Sequence, residues 1–417
     1  MVTAGTAAAA PAPAGIDSNP FCGVLLCAPG TAVLDGKQLL RTKIALLLGD
    51  RTARTALKDL LAQADVALTK GPWTVMSKTQ TPPSGDKHDY LSLAPYWWPS
   101  KPQTPDNPLG CPYVNKDGVH NPANDTSDKS DRLTAFSAIY QLSLAWYYTG
   151  NPAYAKRAAL DLRTWFLDPA TRMNPNMNFA QGIPCRTNGR GIGIIEFSYT
   201  FTQVLDAAAI LSIGAPGWHA ADSAGLKSWS SDFLTWLLTS QNGKDEAAQI
   251  NNHGTFYDML SAAIALYTGQ NTLAHQIVVN AETSRIDPQI LADGSQPQEA
   301  TRTRSFHYFN FNLVAMTRLA AVGKHVGVDL WAYRTPQGAS LFKAVDFVIP
   351  AATGGLSQWP YQEIGFTAYA AVDVLHAAAD AGDQAARAAL PHVPAPPGGD
   401  LYPVRPAAEQ LDDISQT

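Results

Sequence analysis

The sequence predicts an all-α protein whose helical hairpins close into a single α/α toroid, and three observations support this. From about residue 34, apolar residues recur at helical spacing and are interrupted by Gly, Pro and Asn, without the alternation that strands require. Several helices form pairs joined by tight turns, such as TGNP at 149–152 and TGQN at 268–271. Because no strict sequence period marks an open solenoid, we expect the hairpins to form a closed ring.

The helical pattern recurs along most of the chain and leaves two long irregular segments, 71–130 and 171–194. Both segments are rich in Pro, Gly or Asn, and irregular stretches of this length within a compact domain are usually functional. The run GRGIGI at 189–194 lacks the strand-then-helix setting of a dinucleotide site, so we interpret it as a loop. The predicted helices span 37–49, 52–69, 131–149, 152–167, 195–213, 225–240, 255–268, 272–285, 308–326, 338–348 and 366–382.

Composition indicates a folded chain, whose length corresponds to roughly two or three average domains unless one large architecture accounts for all of it. Of its 417 residues, 46% are hydrophobic and 16% are charged, which excludes a disordered class. The net charge of −5 argues against a nucleic-acid partner, and no apolar run approaches the length of a membrane span. We expect a flexible N-terminal segment over 1–27, a toroid domain over 28–390, and a Pro-rich, acidic tail over 391–417 that packs along the surface or is loose.

Four cysteines allow three disulfide pairings, and no two of the cysteines have the spacing of a zinc site. The favoured pairing joins Cys22 to Cys27 and Cys111 to Cys185, which implies an oxidising, exported setting. The alternative is four reduced, buried thiols. The first fifteen residues lack the charged and apolar regions of a signal peptide, so any leader would already have been removed. We therefore expect a secreted or periplasmic protein.

Two polar clusters stand where helices begin. In QINNHGT, at 249–255, two amides and an imidazole precede a helix and can bind an anionic or carbonyl group with help from the helix dipole. The alternative is that Asn252 caps the helix and His253 is a packing residue. In EATRTRSFHYFN, at 299–310, arginines can bind carboxylates, and Tyr308 can carry a proton if neighbouring cations lower its pKa. The alternative for this second cluster is an aromatic helix start with exposed arginines.

Aromatic residues within the irregular segments suggest sugar-binding platforms. Tyr96, Trp97 and Trp98 lie in DYLSLAPYWWP, and Tyr361 lies in the weaker SQWPYQE. Each of these rings can instead be a core residue beneath a long loop. No metal-ligand spacing, nucleophile elbow or phosphate-binding loop is present, so we expect neither a metal nor another cofactor.

Five segments together resemble the alginate lyase domain family: DYLSLAPYWWP, NPNMNFAQGIPCRTNGRGIGIIEF, NNHGTFYD, EATRTRSFHYFNFN and WPYQEI. The resemblance extends over about residues 70–365 and implies an α/α-toroid polysaccharide lyase that acts on mannuronan or glucuronan. It places the catalytic residues at Asn252, His253, Arg302 and Tyr308. Ten further residues are candidates for binding or supporting the substrate: Arg304, His307, Glu246, Asn178, Gln181, Arg186, Tyr96, Trp97, Trp98 and Tyr361.

The implied reaction is β-elimination from a uronate. Asn252, His253 and Arg302 would neutralise the carboxylate, so that the C5 proton becomes acidic enough to remove. Tyr308 would carry that proton to the leaving O4 in mannuronate and glucuronate, whereas His253 would be the better base for guluronate. We expect an anionic polysaccharide as partner and a monomeric enzyme.

Two other hypotheses about function are consistent with the sequence. A glycoside hydrolase would need two carboxylates across the sugar, for which Glu196, Glu246, Asp258 and Glu299 are available without forming a distinctive pair in the sequence. A non-catalytic carbohydrate-binding scaffold would explain the hairpins and aromatic residues, but not the amide-His and Arg-Tyr clusters.

Overall fold

A computed structural model describes residues 26–409 and confirms the all-α toroid. Most of the helices pair as antiparallel hairpins, as the turn signals predict. The helices are α1 (Gly36–Leu47), α2 (Arg51–Leu68), α3 (Ser127–Thr149), α4 (Pro152–Phe166), α5 (Ile195–Leu211), α6 (Ala220–Thr239), α7 (Gln241–Ala247), α8 (Asn252–Tyr267), α9 (Asn271–Ala281), α10 (Asp287–Gln289), α11 (Pro297–Ala300), α12 (Ser305–His325), α13 (Leu341–Gly354), α14 (Val372–Asp380) and α15 (Gln384–Ala389).

The hairpins form two concentric layers. Helices α3, α5, α8 and α12 pack side by side as an inner wall, and α14 continues it next to α12. Their partners α2, α4, α6, α9 and α13 form the outer layer. The inner helices are buried nearly all round, which explains why α5 and α8 carry apolar residues on every face rather than in one stripe. Because the inner helices begin at neighbouring points, their first turns can contribute to one site.

Short strands organise the two irregular segments. β1 (Leu91–Leu93) pairs in parallel with β4 (Phe179–Gly182), and β2 (Trp97–Pro99) pairs antiparallel with β3 (Tyr113–Asn115). The sequence did not predict these strands, because three or four residues are too few to show a period. The glycine run after β4 is a 3₁₀ turn, Gly191–Ile194, that leads directly into α5. A Cβ on Gly191 would lie 2.6 Å from the Asn242 carbonyl oxygen, so this close approach requires glycine.

The disulfide predicted between Cys111 and Cys185 is present. It joins the loop before β3 to the loop after β4, with the two Cα atoms 6.4 Å apart. The predicted partner of Cys27, Cys22, lies outside the described residues. The disulfide therefore connects the two irregular segments to each other across the opening of the toroid.

An aromatic cluster fills the first half of the toroid. Phe136 on α3 contacts Trp165 on α4 at 5.6 Å and Phe197 on α5 at 5.2 Å between ring centroids. Trp229 on α6 joins the same cluster through Phe166, at 4.8 Å. Edge-to-face rings add to the free energy gained by burying their area, so this cluster binds four helices together.

Segments before α1 and after α15 pack into the same core. The Asp206 carboxylate on α5 accepts hydrogen bonds from the backbone N–H groups of residues 32–34, at 2.6–3.3 Å. At the other end of the chain, Arg405 forms an ion pair with the buried Asp373 on α14, and Val404 is fully buried. The described part of the expected C-terminal tail is thus not loose: residues 401–408 supply core side chains.

One described stretch, Gly191–Leu211, is long and apolar enough to cross a membrane. Its most apolar window is 83% buried inside the fold, as expected for the inner helix α5.

Several helices begin earlier than the sequence predicts. α8 begins at Asn252 rather than 255, and α12 begins at Ser305 rather than 308. The first turns were missed because their polar residues interrupt the apolar pattern. The N-cap of α8 is Asn251, one residue before the expected Asn252, since the Asn251 side chain accepts the His253 backbone N–H at 3.2 Å. Asn252 is therefore not the cap.

Candidate active site

A cavity of about 420 Å³ opens where the inner helices α5, α8 and α12 begin. The irregular segments close its sides, with Tyr96 and Trp97 contributed by the β2 region and Gln181 by β4. The structure brings together seven of the predicted catalytic and binding residues. These are Tyr96, Trp97, Gln181, Asn252, His253, Arg302 and Tyr308.

Tyr308 lies on the cavity wall in the first turn of α12. Its hydroxyl shares a hydrogen bond with the Tyr96 hydroxyl at 2.7 Å, and the Arg302 guanidinium carbon lies 3.6 Å from the centroid of its ring. Burial raises the pKa of Tyr308 above its ordinary value, while the Arg302 charge and the hydrogen bond with Tyr96 act in the opposite direction. The expected lowering by cations is thus present but is outweighed by burial, so Tyr308 is protonated at neutral pH.

Arg302 is held by Asp117, a residue in the turn after β3. Arg302 Nε and Nη2 donate to Asp117 Oδ1 at 3.1 Å and 2.6 Å. The backbone N–H of Thr303 also donates to the same carboxylate, at 3.0 Å. Burial alone would raise the pKa of Asp117, but the hydrogen bonds and charge of Arg302 keep it below its ordinary value. Asp117 therefore remains ionised and fixes the plane of the guanidinium group over Tyr308.

His253 is oriented by a carboxylate from the short helix α7. Its Nδ1 lies 3.0 Å from Glu246 Oε1, and the Glu246 side chain is fully buried. A neutral imidazole that donates from Nδ1 to a carboxylate presents its unprotonated Nε2 on the other side. The imidazole is 17% exposed and lines the cavity, so this arrangement makes His253 available as a proton acceptor.

Asn252 is positioned by Glu299 on α11. The backbone N–H and the Nδ2 of Asn252 donate to the two oxygens of Glu299, at 2.7 Å and 2.8 Å. Burial raises the pKa of Glu299, although the hydrogen bonds from Asn252 and the charge of Arg302 oppose the rise. Because an amide nitrogen carries two hydrogens, one remains for a ligand in the cavity.

On another side of the cavity, Arg190 is fixed by Gln181. Arg190 Nε donates to the Gln181 backbone oxygen and Nη2 donates to its side-chain oxygen, both at 2.9 Å. Gln181 has a positive φ of 50°, an uncommon conformation for a residue other than glycine. Glu196 on α5 lines the same cavity and is 3% exposed.

Two of the predicted binding residues lie at the edge of this region. The Arg186 guanidinium carbon is 5.0 Å from the centroid of the Trp97 ring, next to the disulfide. Trp98 contacts Lys116 and donates its Nε1 hydrogen to the Val119 carbonyl at 3.0 Å. Neither Arg186 nor Trp98 lines the cavity itself.

Four other predicted residues lie away from the cavity. Arg304 and His307 are 2% and 3% exposed, and both lie next to Glu363: the Arg304 backbone pairs with that of Glu363, and the His307 backbone N–H donates to its carboxylate. Tyr361 packs among aromatic rings that include Trp359, at 5.7 Å. Asn178 is exposed and accepts a hydrogen bond from Trp236 at 3.1 Å. These side chains support the walls rather than form the cavity surface.

The carboxylates considered for a hydrolase are mostly engaged elsewhere. Glu246 and Glu299 orient His253 and Asn252, and Asp258 forms an ion pair with Arg285 at 2.7 Å. Sequence reasoning did not assign Asp117 any role, because a single acidic residue in a long loop carries no pattern. Within residues 26–409, no group of three or more His, Cys, Asp or Glu side chains is arranged to hold a metal ion.

Comparison with known proteins identifies the family. The model of the family described as alginate lyase matches residues 74–359, more than half of the chain. The crystal structure of an alginate lyase from Bacteroides ovatus has a TM-score of 0.84 and 33% sequence identity to this chain, and the match covers 90% of this chain and 99% of the other. Among curated proteins, no sequence matches significantly.

More distant structures share the fold. Alginate lyase A1-III from Sphingomonas species A1 matches with a TM-score of 0.52 and 18% identity, over 93% of this chain and 99% of the other. A histidine-to-alanine variant of alginate lyase A1-III, complexed with tetrasaccharide, matches with a TM-score of 0.56 and 18% identity, over 95% of this chain and 100% of the other. Together, the matches define a polysaccharide lyase with an α/α-toroid fold. The chain belongs to the alginate lyase family.

Proposed function

We propose that this enzyme cleaves 1,4-linked polyuronates, mannuronan or glucuronan, by β-elimination. The observation that carries the proposal is the position of the Tyr308 hydroxyl, which shares a cavity with His253 and Asn252 beneath a stacked guanidinium. This combination supplies a proton carrier together with donors for a carboxylate. Both are needed at the same sugar, because the C5 proton is acidic only while the adjacent carboxylate is neutralised.

In this mechanism three groups face the uronate carboxylate. Asn252 donates its remaining amide hydrogen, and Arg302 contributes charge from the guanidinium that Asp117 holds. His253 stands beside them, with Glu246 fixing the direction of its ring. All three are oriented before substrate binds. Asn252 and Arg302 therefore stabilise the charge that develops as the proton leaves without having to reorganise. His253 contributes in the same way when its imidazole is protonated, because Nε2 then donates a hydrogen bond.

Tyr308 then transfers the proton. In mannuronate and glucuronate, H5 and O4 lie on the same face of the sugar, so one phenol group can take the proton from C5 and return it to O4. The Arg302 guanidinium and the Tyr96 hydroxyl both lie where they would stabilise the phenolate form. Burial opposes that form, so only a small fraction of the resting enzyme would carry it.

Guluronate is a second candidate substrate, favoured by the hydrogen bond between His253 and Glu246. That contact leaves Nε2 of His253 as an acceptor, and the protonated Tyr308 is ready to act as an acid. Because H5 and O4 of guluronate lie on opposite faces, two separate groups would serve it better than one.

The setting and assembly belong to the same proposal. A disulfide that joins the loops around the cavity suits an oxidising compartment, which supports secretion or a periplasmic location. We propose a monomer that binds its anionic polysaccharide through cations in the cavity.

The decisive experiment follows ultraviolet absorbance during incubation with mannuronan, guluronan, glucuronan, hyaluronan and pectate, with chelator present. We expect absorbance to rise with mannuronan or glucuronan, because elimination creates a C4–C5 double bond conjugated with the carboxylate. A rise only with guluronan would assign the base to His253. If reducing ends form without any rise, the reaction is hydrolysis and the proposal fails.

A further inference from the structure

We propose that Arg190 and Glu196 form a uronate subsite in which Arg190 binds a sugar carboxylate and Glu196 accepts a hydrogen bond from a free ring hydroxyl. The inference rests on the proposed function and assigns specificity to two residues that the elimination chemistry does not use. It also predicts which chemical modifications of the polymer the enzyme rejects.

Arg190 forms no ion pair with a carboxylate among residues 26–409. Of the three cations lining the cavity in the described part of the chain, Arg302 is paired with Asp117 at 2.6 Å and Lys129 with Asp125 at 3.3 Å. Within the described residues, Arg190 donates hydrogen bonds only to the neutral oxygens of Gln181, and the charges of Glu196 and Glu246 act on it without forming an ion pair. Burial lowers the pKa of Arg190 to about 10, so it still carries its charge at neutral pH. A carboxylate from the substrate is the natural partner for this charge.

Glu196 has a buried oxygen that lacks a hydrogen-bond partner in the part of the chain that the structure describes. Its Oε2 accepts hydrogen bonds from the Tyr90 and Ser92 hydroxyls, at 2.9 Å and 2.6 Å. Its Oε1 has no hydrogen-bond partner among the described residues, although the side chain is 97% buried and lines the cavity. Leaving such an oxygen unsatisfied is unfavourable, and a hydroxyl donor from a bound sugar would satisfy it.

One network of hydrogen bonds fixes the side chains of both Arg190 and Glu196. The Ser92 hydroxyl that donates to Glu196 also accepts the backbone N–H of Gln181, at 2.8 Å. Gln181 in turn holds the guanidinium of Arg190. Ser92 and Gln181 lie on the paired strands β1 and β4, so the anion-binding and hydroxyl-binding groups are set on one rigid unit.

The subsite implies a defined selectivity. A carboxyl-reduced sugar offers no anion to Arg190, so it should bind weakly. An O-acetylated sugar at the same position replaces the hydroxyl donor by an ester, which cannot donate to Glu196 and leaves its Oε1 unsatisfied. We therefore expect preference for a polyuronate with free carboxylates and free hydroxyls.

The test measures oligosaccharide binding by titration calorimetry, in a Tyr308→Phe background that prevents turnover. The ligands are an oligomannuronate, its carboxyl-reduced form and its O-acetylated form. We expect Arg190→Gln to weaken oligomannuronate binding about tenfold or more, with little change for the carboxyl-reduced ligand. The matched control is Arg41→Gln, which removes the same charge from an exposed position on α1 and should leave all three affinities unchanged.

Glu196→Gln tests the second half of the subsite. Tyr90 and Ser92 both donate to this side chain, so the amide oxygen should remain on them and the amide nitrogen should face the cavity. An NH₂ group can donate to an ester carbonyl, so the preference for free over acetylated ligand should shrink or vanish. An unchanged preference would remove Glu196 from the subsite.

The outcomes separate this inference from the proposed function. If the enzyme cleaves polyuronates but Arg190→Gln binds charged and carboxyl-reduced ligands with the same ratio as its parent, only the subsite is overturned. If the parent protein neither binds nor cleaves any polyuronate, both are overturned. If a variant fails to fold, the affinities of the parent protein test the subsite. Equal affinity of the parent for all three ligands would contradict the proposed selectivity.

Discussion

At the scale of the residue, burial and neighbouring groups act in opposite directions on the pKa of the Tyr308 phenol. Burial disfavours its ionised form, while the guanidinium of Arg302 over the ring and the Tyr96 hydroxyl at 2.7 Å favour it. The balance leaves the pKa of Tyr308 raised. A proton carrier of this kind is a ready acid but must lose its own proton before it can act as a base.

Replacing Tyr308 by Phe should abolish turnover while largely retaining oligosaccharide binding. The ring and its packing under Arg302 remain, and only the proton carrier is lost, so kcat should fall by about two to four orders of magnitude. Steady-state absorbance kinetics and titration calorimetry on the same preparation would check this. Turnover close to that of the parent enzyme would remove Tyr308 from the mechanism.

The pH profile should reveal which proton state of Tyr308 starts the reaction. Since its pKa is raised above the ordinary value near 10, the phenolate fraction grows about tenfold for each pH unit across the neutral range. If the phenolate is the base, kcat/KM on mannuronan rises with pH up to that pKa, and this is the expected result. A flat profile between about pH 7 and 9 would restrict Tyr308 to the role of acid.

The sequence predicted the residues that meet in the cavity better than the residues that hold them. Asn252, His253, Arg302 and Tyr308 occur in two dense polar clusters at helix starts, where the residue types themselves indicate chemistry. Asp117 is separated from Arg302 by 185 residues, and nothing near it in the sequence indicates that contact. Arg304 and His307 show the opposite error: they share a cluster with Tyr308, but a helix directs successive side chains to different sides.

At the scale of the element, the disulfide connects the loop before β3 to the loop after β4. Cys111 and Cys185 are 74 residues apart, and closing a loop of that length stabilises the folded state by about 4 kcal/mol in the chain-entropy model. Its position beside Arg186 and Trp97 also places it next to the cavity opening.

The double substitution Cys111→Ser and Cys185→Ser should lower both stability and substrate affinity. We expect a reduced free energy of unfolding and a raised KM, with a smaller change in kcat because Tyr308 lies on α12. Denaturant unfolding and absorbance kinetics would measure these effects. Parent protein treated with a thiol reductant should behave in the same way; an unchanged KM in both would show that the tether does not shape the opening.

The Asp206 side chain holds the segment before α1 against α5. The substitution Asp206→Ala should therefore strongly lower the free energy of unfolding. The substitution leaves three buried N–H groups of residues 32–34 without an acceptor, which should cost about 3 kcal/mol of unfolding free energy. The matched control is Asp35→Ala, which removes the exposed cap of α1 and should cost about 1 kcal/mol. Equal effects in denaturant unfolding would contradict this role of Asp206.

The same residue should impose a pH dependence. Burial raises the pKa of Asp206 to about 6, above the value near 3.9 of an unfolded chain. The part of the folding stability that is linked to this raised pKa is therefore fully present below about pH 4 and is lost as the pH rises through 6, in addition to the stabilisation by the hydrogen bonds to residues 32–34. In the Asp206→Ala variant, the free energy of unfolding should not show this decrease with rising pH.

Helices were predictable as elements, but their first turns and the strands were not. α8 and α12 carry long apolar runs that identify them, whereas the polar residues at their starts look like loop. β1 and β4 pair across more than eighty residues of chain, and each is too short to show alternation. Their existence depends on tertiary contacts such as the hydroxyl of Ser92, so local sequence cannot specify them.

At the scale of the whole molecule, a net charge of −5 must be reconciled with the anionic polymer that we propose as the substrate. Three cations, Arg190, Arg302 and Lys129, line the cavity against two carboxylates, Asp117 and Glu196, so the local charge is positive although that of the whole chain is negative. The sequence could suggest this only through scattered arginines, because their convergence depends on the fold. Arg304, which it also suggested, lies buried beside Glu363.

Salt should therefore weaken substrate binding. Raising ionic strength from about 0.05 M to 0.5 M shortens the range of electrostatic attraction to a few ångströms, and we expect KM for mannuronan to increase several-fold. Absorbance kinetics in sodium chloride would test this, with sodium sulfate at matched ionic strength as a control for ion identity. A decrease in KM would mean that the overall negative charge dominates the encounter.

The aromatic cluster of the first half-toroid has an optical consequence. Trp165 and Trp229 are 0% and 5% exposed, and the rings around them come from four helices. Such fixed, asymmetric surroundings give tryptophan a near-ultraviolet circular dichroism signal that vanishes when packing loosens. The molecule thus contains its own spectroscopic reporter, through which the assembly of this half can be followed without any attached dye.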